Sequence, residues 1–277
     1  MDQGDPHRRY QITPARGDWR GGEEPLKIAI ISDIHANLEA LEATFYDIAE
    51  RTIDRIVCLG DIVGYNSDAA ACIALIRGAD CVCVAGNHDL AVCGRITTRN
   101  FSSAAARAVA WTRQQLSADD LDFLENLPLK ANIGNRVIAV HGALHPETGC
   151  ESVRLDNDKR RMQSFDALMT HPTGARICAF GHTHHAAVYE LRGNLVAMSA
   201  EEHVQLRDTS YYLINPGTIG EPRSAERRAT YMILDLERRT VTTRYVDYRA
   251  SAEFIATHRP GLASRIGLAG LTSRWRG

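Results

Sequence analysis

Seven side chains able to bind a metal ion recur at the ends of short apolar runs. The runs Ile28–Ser32, Ile56–Leu59, Val82–Ala85, Val137–Val140 and Ile177–Phe180 lead directly into Asp33-Ile34-His35, Gly60-Asp61, Gly86-Asn87-His88-Asp89, His141-Gly142 and Gly181-His182-Thr183-His184. Runs of this length read as buried parallel strands, and open α/β sheets bind ligands at the carboxyl ends of their strands. Gly86 lets the chain turn sharply and brings the backbone close to whatever Asn87 and His88 hold. One Asp-x-His or one Gly-Asp arises by chance, but five strand ends in order do not. Positions 35, 61 and 87 are each 26 residues apart, about one strand–helix unit. Successive units therefore deliver their ligands to one rim.

The donors are carboxylates (Asp33, Asp61), an amide (Asn87) and imidazoles (His35, His141, His182, His184). That mixture suits Mn²⁺, Fe or Zn²⁺ better than Ca²⁺ or Mg²⁺. Seven protein ligands are too many for one ion with an open position and about right for two. A shared carboxylate would hold such ions roughly 3.5–4 Å apart. Two cations lower the pKa of a bridging water, so that hydroxide exists near neutrality. His88, next to Asn87, is an imidazole suited to proton transfer beside such a centre. Asp89 is a candidate to orient His88.

Positioning these groups requires strands alternating with helices. A helix is expected from Asn37 to Glu50, capped by Asn37, with Leu38, Leu41, Phe45 and Ile48 on its apolar face. A second is expected from Ser67 to Arg77, with Ser67 as cap and Gly78 as stop. This β-α-β-α-β order marks a parallel sheet covered by helices. Residues 100–127 read as two helices, the second opened by a Ser117/Asp120 capping box, and packing over the sheet is the expected role. Residues 129–140 form a hairpin turning at Gly134-Asn135, and a helix spans Asn157–Thr170. Short strands follow at Val188–Leu191, Leu195–Met198, Val204–Leu206, Tyr211–Ile214, Thr230–Leu236 and Thr240–Tyr248. With no helices between them they should pair antiparallel, giving a two-sheet sandwich with helices outside. Residues 1–25 read as a flexible N-terminal arm, 26–250 as the domain that carries the five motifs, and 251–277 as a C-terminal helix and tail.

A net charge of −2 and a pI near 6.6 disfavour a general nucleic-acid or anionic-membrane surface. No apolar run is long enough to span a membrane, and the first residues lack a signal-peptide core. Seven cysteines, four of them (Cys58, Cys81, Cys83, Cys178) in expected strands and none in Cys-x-x-Cys, read as reduced thiols in a cytoplasmic protein.

The five motifs together resemble the calcineurin-like metallophosphoesterases over roughly residues 27–248, and within them the small prokaryotic phosphodiesterase branch. The resemblance implies an α/β, four-layer αββα sandwich of two mixed sheets flanked by helices. It implies one ion on Asp33, His35, Asp61 and His184, and another on Asp61, Asn87, His141 and His182, with Asp61 bridging. It places His88 beside the substrate phosphate, as proton donor to the leaving oxygen or as a positive contact. Protein serine/threonine phosphatases carry Gly-Asp-x-Val-Asp-Arg-Gly, whereas this chain reads Gly60-Asp61-Ile62-Val63-Gly64-Tyr65-Asn66. That branch is therefore disfavoured. Asn215-Pro216-Gly217 resembles an Asn-Pro-Gly-Ser motif and is expected to be a structural turn near the site.

The expected activity is hydrolysis of a phosphodiester in a small phosphorylated substrate, supported by two divalent ions, with Mn²⁺ the ion expected to sustain it in vitro. Phosphomonoester or nucleotide pyrophosphate hydrolysis on the same centre is the alternative, and a non-catalytic scaffold is the reading from another class. His145, His185 and Arg223 stand beside the motifs as candidates to touch substrate, while Arg223–Arg228 otherwise reads as a solvated loop.

Overall fold

Alternation along the first strand sorts the molecule into layers. In the computed structural model, which describes residues 27–223 and 227–248, β1 (Lys27–Ile31) sends Ile28 and Ile30 one way and Ala29 and Ile31 the other. Ala29 and Ile31 pack beneath helices, while Ile28 and Ile30 meet Ala139, Ile177, Ala179 and Ile214 of a second sheet. Both faces are buried, which is why the run is apolar throughout.

The first sheet adds β2 (Arg55–Cys58), β3 (Val82–Cys83), β9 (His203–Gln205), β11 (Ala229–Asp235) and β12 (Thr240–Val246), in the order β3-β2-β1-β11-β12-β9. The second contains β4 (Lys130–Ile133), β5 (Val137–Val140), β6 (Ile177–Ala179), β7 (Ala187–Arg192), β8 (Leu195–Ser199) and β10 (Tyr211–Asn215), in the order β4-β5-β6-β10-β7-β8. The first sheet is parallel along one side, β3-β2-β1, and antiparallel from β1 to β9; the second is parallel at its centre, β5-β6-β10, and antiparallel on either side. Helices α1 (Leu38–Ala49), α2 (Ala69–Gly78), α3 (Asn87–Cys93), α4 (Ser103–Gln115) and α5 (Ala118–Glu125) build the outer core of the first sheet. Helix α6 (Asp158–Met169) covers the second, laying Phe165 and Leu168 on Ile138, Val140 and Leu213. The chain is thus the expected four-layer αββα sandwich.

Several local expectations hold. Asn37 caps α1 by accepting from the Ala40 N–H at 3.1 Å, and Ser117 and Asp120 form a reciprocal box at the start of α5. Others are corrected. Asp68, not Ser67, occupies the N-cap of α2, while the Ser67 hydroxyl donates to the Asp68 carboxylate at 2.9 Å. Gly78 is the last helical residue rather than the stop. The run Val82–Ala85 stays in its ladder for only two residues, because the Ala85 N–H turns away to the Pro128 carbonyl at 2.8 Å. A helix that the sequence reading lacked, α3, then begins at Asn87. The strands after His185 do pair antiparallel with one another, as expected: β7 with β8 and β10, and β12 with β9 and β11, with Val204 packing against the core between the sheets. The expected arm (1–25) and C-terminal helix and tail (251–277) lie outside the described residues, as does the middle of the Arg223–Arg228 loop.

Two glycines set how closely the strand ends approach. Gly60 has φ +89°, and a Cβ there would lie 2.3 Å from the Gly86 nitrogen; one on Gly86 would lie 2.1 Å from Asp61 Oδ1. Both obstacles include groups that cannot move aside without shifting the rim. Gly60→Ala is therefore expected to destabilise the fold by on the order of 3 kcal/mol, from strained backbone plus overpacking. Denaturant unfolding of the metal-free chain would register this, and an unchanged midpoint would contradict it.

Candidate metal centre

Both sheets deliver side chains to a common rim, from the loops after β1, β2, β5 and β6 and from the first turn of α3. The loops are unusual in backbone as well as composition. Asp33, His35, Asp61, His182 and His184 all have positive φ, between 49° and 63°. Non-glycine residues adopt this region at a cost, and such residues gather where surrounding structure over-determines them. Here the surroundings are backbone hydrogen bonds between loops: Asp33 N–H to Gly60 O (3.0 Å), His35 N–H to Asp61 O (2.9 Å) and Gly181 N–H to His141 O (2.7 Å). Asn215 adds a side-chain brace, donating to Gly181 O at 2.8 Å and Thr183 Oγ1 at 3.0 Å. Its expected role as a structural turn beside the site fits that contact.

Asp33, His35 and His184 bring donor atoms within 4.8 Å of one another, as do Asp61, His141 and His182. Asp61 Oδ2 sits between the two groups, 3.6 Å from His35 Nε2 and 3.4 Å from His141 Nε2. Asn87 joins the second group, its Oδ1 lying 3.1 Å from His141 Nε2. All seven sequence-derived candidates therefore converge on one rim, with Asp61 between the two groups.

Hydrogen bonding orients the donors inward. His35 Nδ1 faces Val63 O (3.3 Å), His141 Nδ1 faces Leu59 O (2.7 Å) and His184 Nδ1 faces Glu221 O (3.0 Å). A carbonyl only accepts, so each Nδ1 carries a hydrogen, and Nε2 presents a lone pair whenever the ring is neutral. Those lone pairs point at one another and at carboxylates: His35 Nε2 to His184 Nε2 is 3.2 Å, and His184 Nε2 to Asp33 Oδ1 is 3.1 Å. Each carboxylate has one oxygen restrained and one directed inward. Asp33 Oδ2 accepts from Ser32 Oγ (2.7 Å) and His182 N (3.0 Å), leaving buried Oδ1 without a hydrogen-bond partner. Asp61 Oδ1 accepts from His88 N at 2.8 Å, leaving Oδ2. Converging buried acceptors of this kind need positive charge between them, and the donor set fits divalent transition ions.

Without ions, protons take that place. Burial disfavours charge on His141, but Asp61 and Asp33 outweigh it and raise its pKa to about 10. His184 is likewise raised, the Asp33 carboxylate facing it prevailing over burial. The carboxyls of Asp33 and Asp61 are held far below the usual range, because the facing histidines override burial. His35 and His182 move the other way, burial dominating and taking each to about 3.

His88 lies beside the centre, its ring 4.9 Å from that of His35. Burial holds its pKa below the ordinary value despite Asp61. A neutral imidazole is therefore favoured there over a standing positive contact. Asp89 does not orient it. Its Oδ1 accepts from Val63 N (3.1 Å) and its Oδ2 from Gly86 N (2.9 Å), tying the β2 loop to the start of α3. What holds the His88 ring is aromatic: Tyr65 at 4.8 Å and Phe101 at 5.0 Å between ring centroids. Sequence reading missed both rings as site residues, and only the placement of Tyr65 four residues after Asp61 hinted at one of them. His145 and His185 are exposed.

Comparison with known proteins agrees with this geometry. The family model described as the calcineurin-like phosphoesterase superfamily domain matches residues 26–239. An uncharacterized protein of Methanocaldococcus jannaschii is 39% identical over 212 residues, spanning 75% of this chain and 82% of that protein. The crystal structure of a metallophosphoesterase from Sphaerobacter thermophilus superposes with a TM-score of 0.67 at 34% identity, covering 88% of this chain and 99% of that one. A hypothetical protein from Pyrococcus horikoshii shares the fold at 18% identity, with a TM-score of 0.61 and coverage of 83% and 92%.

Two outcomes follow from the proton positions and from Asp89. The raised pKa of His141 means its proton is present at neutrality and is lost only as pH rises through about 10. A cation must expel it, so Mn²⁺ binding at pH 7 should release at least one proton, with affinity rising about tenfold per pH unit for each proton released. Calorimetry in buffers of different ionisation enthalpy measures this, and buffer-independent heats would refute it. Asp89→Asn replaces one acceptor oxygen with a donor facing a buried N–H. A loss of about 1–3 kcal/mol in unfolding free energy is expected.

Proposed function

We propose that this chain, which belongs to the calcineurin-like phosphoesterase superfamily, hydrolyses a phosphodiester using two divalent transition-metal ions. In this reading Asp33, His35, Asp61 and His184 hold one ion and Asp61, Asn87, His141 and His182 the other, with Asp61 shared. The observation that carries it is the convergence of two acceptor groups on the inward oxygen of Asp61. Bound there, the ions would supply Lewis acidity toward a phosphoryl oxygen and a water acidified toward neutrality.

The chain's own residues do the rest. Ser32 and the His182 N–H fix the rotamer of Asp33, and the His88 N–H fixes that of Asp61, so the inward oxygens need no reorganisation. The carbonyls of Val63, Leu59 and Glu221 set the tautomers of three histidines. The neutral imidazole of His88, held between two aromatic rings, donates an N–H toward the leaving oxygen or a phosphoryl oxygen. The substrate is a small phosphorylated molecule, and Mn²⁺ is the ion proposed to sustain activity in vitro. Among the described residues no helix is long and apolar enough to cross a membrane. All seven cysteines are free thiols, which supports a reducing, cytoplasmic location.

The test is metal-stripped protein refilled with Mn²⁺ and assayed on bis(p-nitrophenyl) phosphate and p-nitrophenyl phosphate. Diester turnover should return with metal and exceed monoester turnover. His88→Ala should lower kcat by about 10²-fold or more while leaving the metal content intact. Monoester preference would replace the substrate class, and metal-replete protein inert on both would overturn the reading.

A further inference from the structure

We propose that Tyr65, Arg154 and Arg223 form an anion subsite beside the metal centre, so that the preferred diester carries a second phosphate beyond the scissile one. The inference deepens the phosphodiesterase reading and rests on it. Its three residues come from separate segments: Tyr65 and Arg154 each touch residues of the centre, and Arg223 lies two residues from Glu221, which does.

Tyr65 is brought there by a glycine. Gly64 has φ +99°, and a Cβ on it would lie 2.5 Å from His88 Nδ1, so only glycine lets this loop pass over His88. The Tyr65 ring then packs on both His35 and His88, at 4.7 and 4.8 Å between centroids, yet the residue remains 38% exposed. One part of it is pinned against the centre and the other opens to solvent at the mouth. Arg154 arrives from the irregular segment after His141, and its Nη1 donates to the His182 carbonyl at 3.3 Å. Its ion pair with Asp156 is long, 4.0 Å. Arg223 lies two residues beyond Glu221, whose carbonyl accepts from His184 Nδ1 at 3.0 Å. Both guanidiniums act on the Tyr65 hydroxyl and on His185, against the carboxylates of Asp61 and Glu221 at Tyr65.

Charge balance says what such a rim would take. Two divalent ions, less the carboxylates of Asp33 and Asp61 and an anionic nucleophile, leave one surplus positive charge. The single negative charge of a phosphodiester neutralises it. At the mouth Arg160 already pairs with Asp156 at 3.0 Å and Glu221 offsets one guanidinium, so one positive charge is in excess, and guanidinium is the side chain best matched to phosphate oxygens. A tyrosine hydroxyl beside the guanidiniums adds a further donor.

A matched pair of substrates tests this: thymidine 5′-(p-nitrophenyl phosphate) with and without a 3′-phosphate, on the Mn²⁺-loaded full chain. The leaving group is the same, and the second phosphate sits on the retained nucleoside. The 3′-phosphate should raise kcat/KM about tenfold in the wild type, chiefly through KM. Arg154→Gln and Arg223→Gln should each cut that ratio, and together abolish it. Tyr65→Phe, which keeps the ring, should cost about threefold of it. Calorimetry gives a readout independent of turnover: thymidine 3′,5′-bisphosphate should bind about tenfold tighter than thymidine 5′-monophosphate to the wild type and equally to the double variant. Equal kcat/KM for the pair in the wild type, or arginine variants that lower both members alike, would overturn the subsite. If neither diester is cleaved, the phosphodiesterase reading fails while the calorimetric ratio still decides the subsite.

Discussion

Mutual repulsion among buried acceptors is the constraint on which this molecule turns. The inward oxygens of Asp33 and Asp61 and the lone pairs of several imidazoles lie within 3.1–3.8 Å of one another in a region with almost no solvent access. Left uncompensated, such a cluster would drive the strand ends apart. Protons compensate it in part, which is why His141 and His184 are raised while both carboxyls are held low. Divalent cations would compensate it more fully, with charge and coordination together.

The scaffold answers that repulsion with backbone hydrogen bonds rather than with further charge. Loops after β1 and β2 are stitched by the Asp33 and His35 N–H groups, and the loop at Gly220 is tied to Asp33 by an N–H to carbonyl bond of 3.0 Å. Thr218 adds its hydroxyl to the same carbonyl at 2.8 Å. These contacts join the two sheets at the rim, where Asp33 belongs to one and His182, His184 and Thr218 to the other. Positive φ at five of the candidate ligands is tolerated because the same bonds over-determine the loops. The apolar layers, with Ile28 and Ile30 facing the second sheet, supply the rigidity against which the strain is held.

The support of His88 shows how neighbouring residues can divide roles in a way sequence order conceals. Asp89 follows His88 directly, yet its carboxylate turns back to Gly86 and Val63 as a fastening for the turn. Tyr65 and Phe101, twenty-three residues before and thirteen after His88, clasp the ring instead. On the first turn of α3, successive side chains leave at about 100° to one another, so adjacency in sequence does not become contact.

The layered fold and the seven convergent donors were legible in the sequence because both rest on local signals. Period-two burial and strand–helix alternation specify a sheet, and a ligand placed just after a buried strand is carried to the sheet's edge whatever surrounds it. The cap at Asn37 and the Ser117/Asp120 box were readable for the same reason, since each is closed by atoms within three residues. Misread features depended on distant partners. Strand Val82–Ala85 was shortened by Pro128, and Asp68, its N–H bonded to the Ala36 carbonyl at 3.1 Å, took the cap position expected of Ser67. The fastening of Asp89 to the Val63 N–H and the rings around His88 were decided only by tertiary structure, because each joins groups whose separation along the chain says nothing about their distance in space.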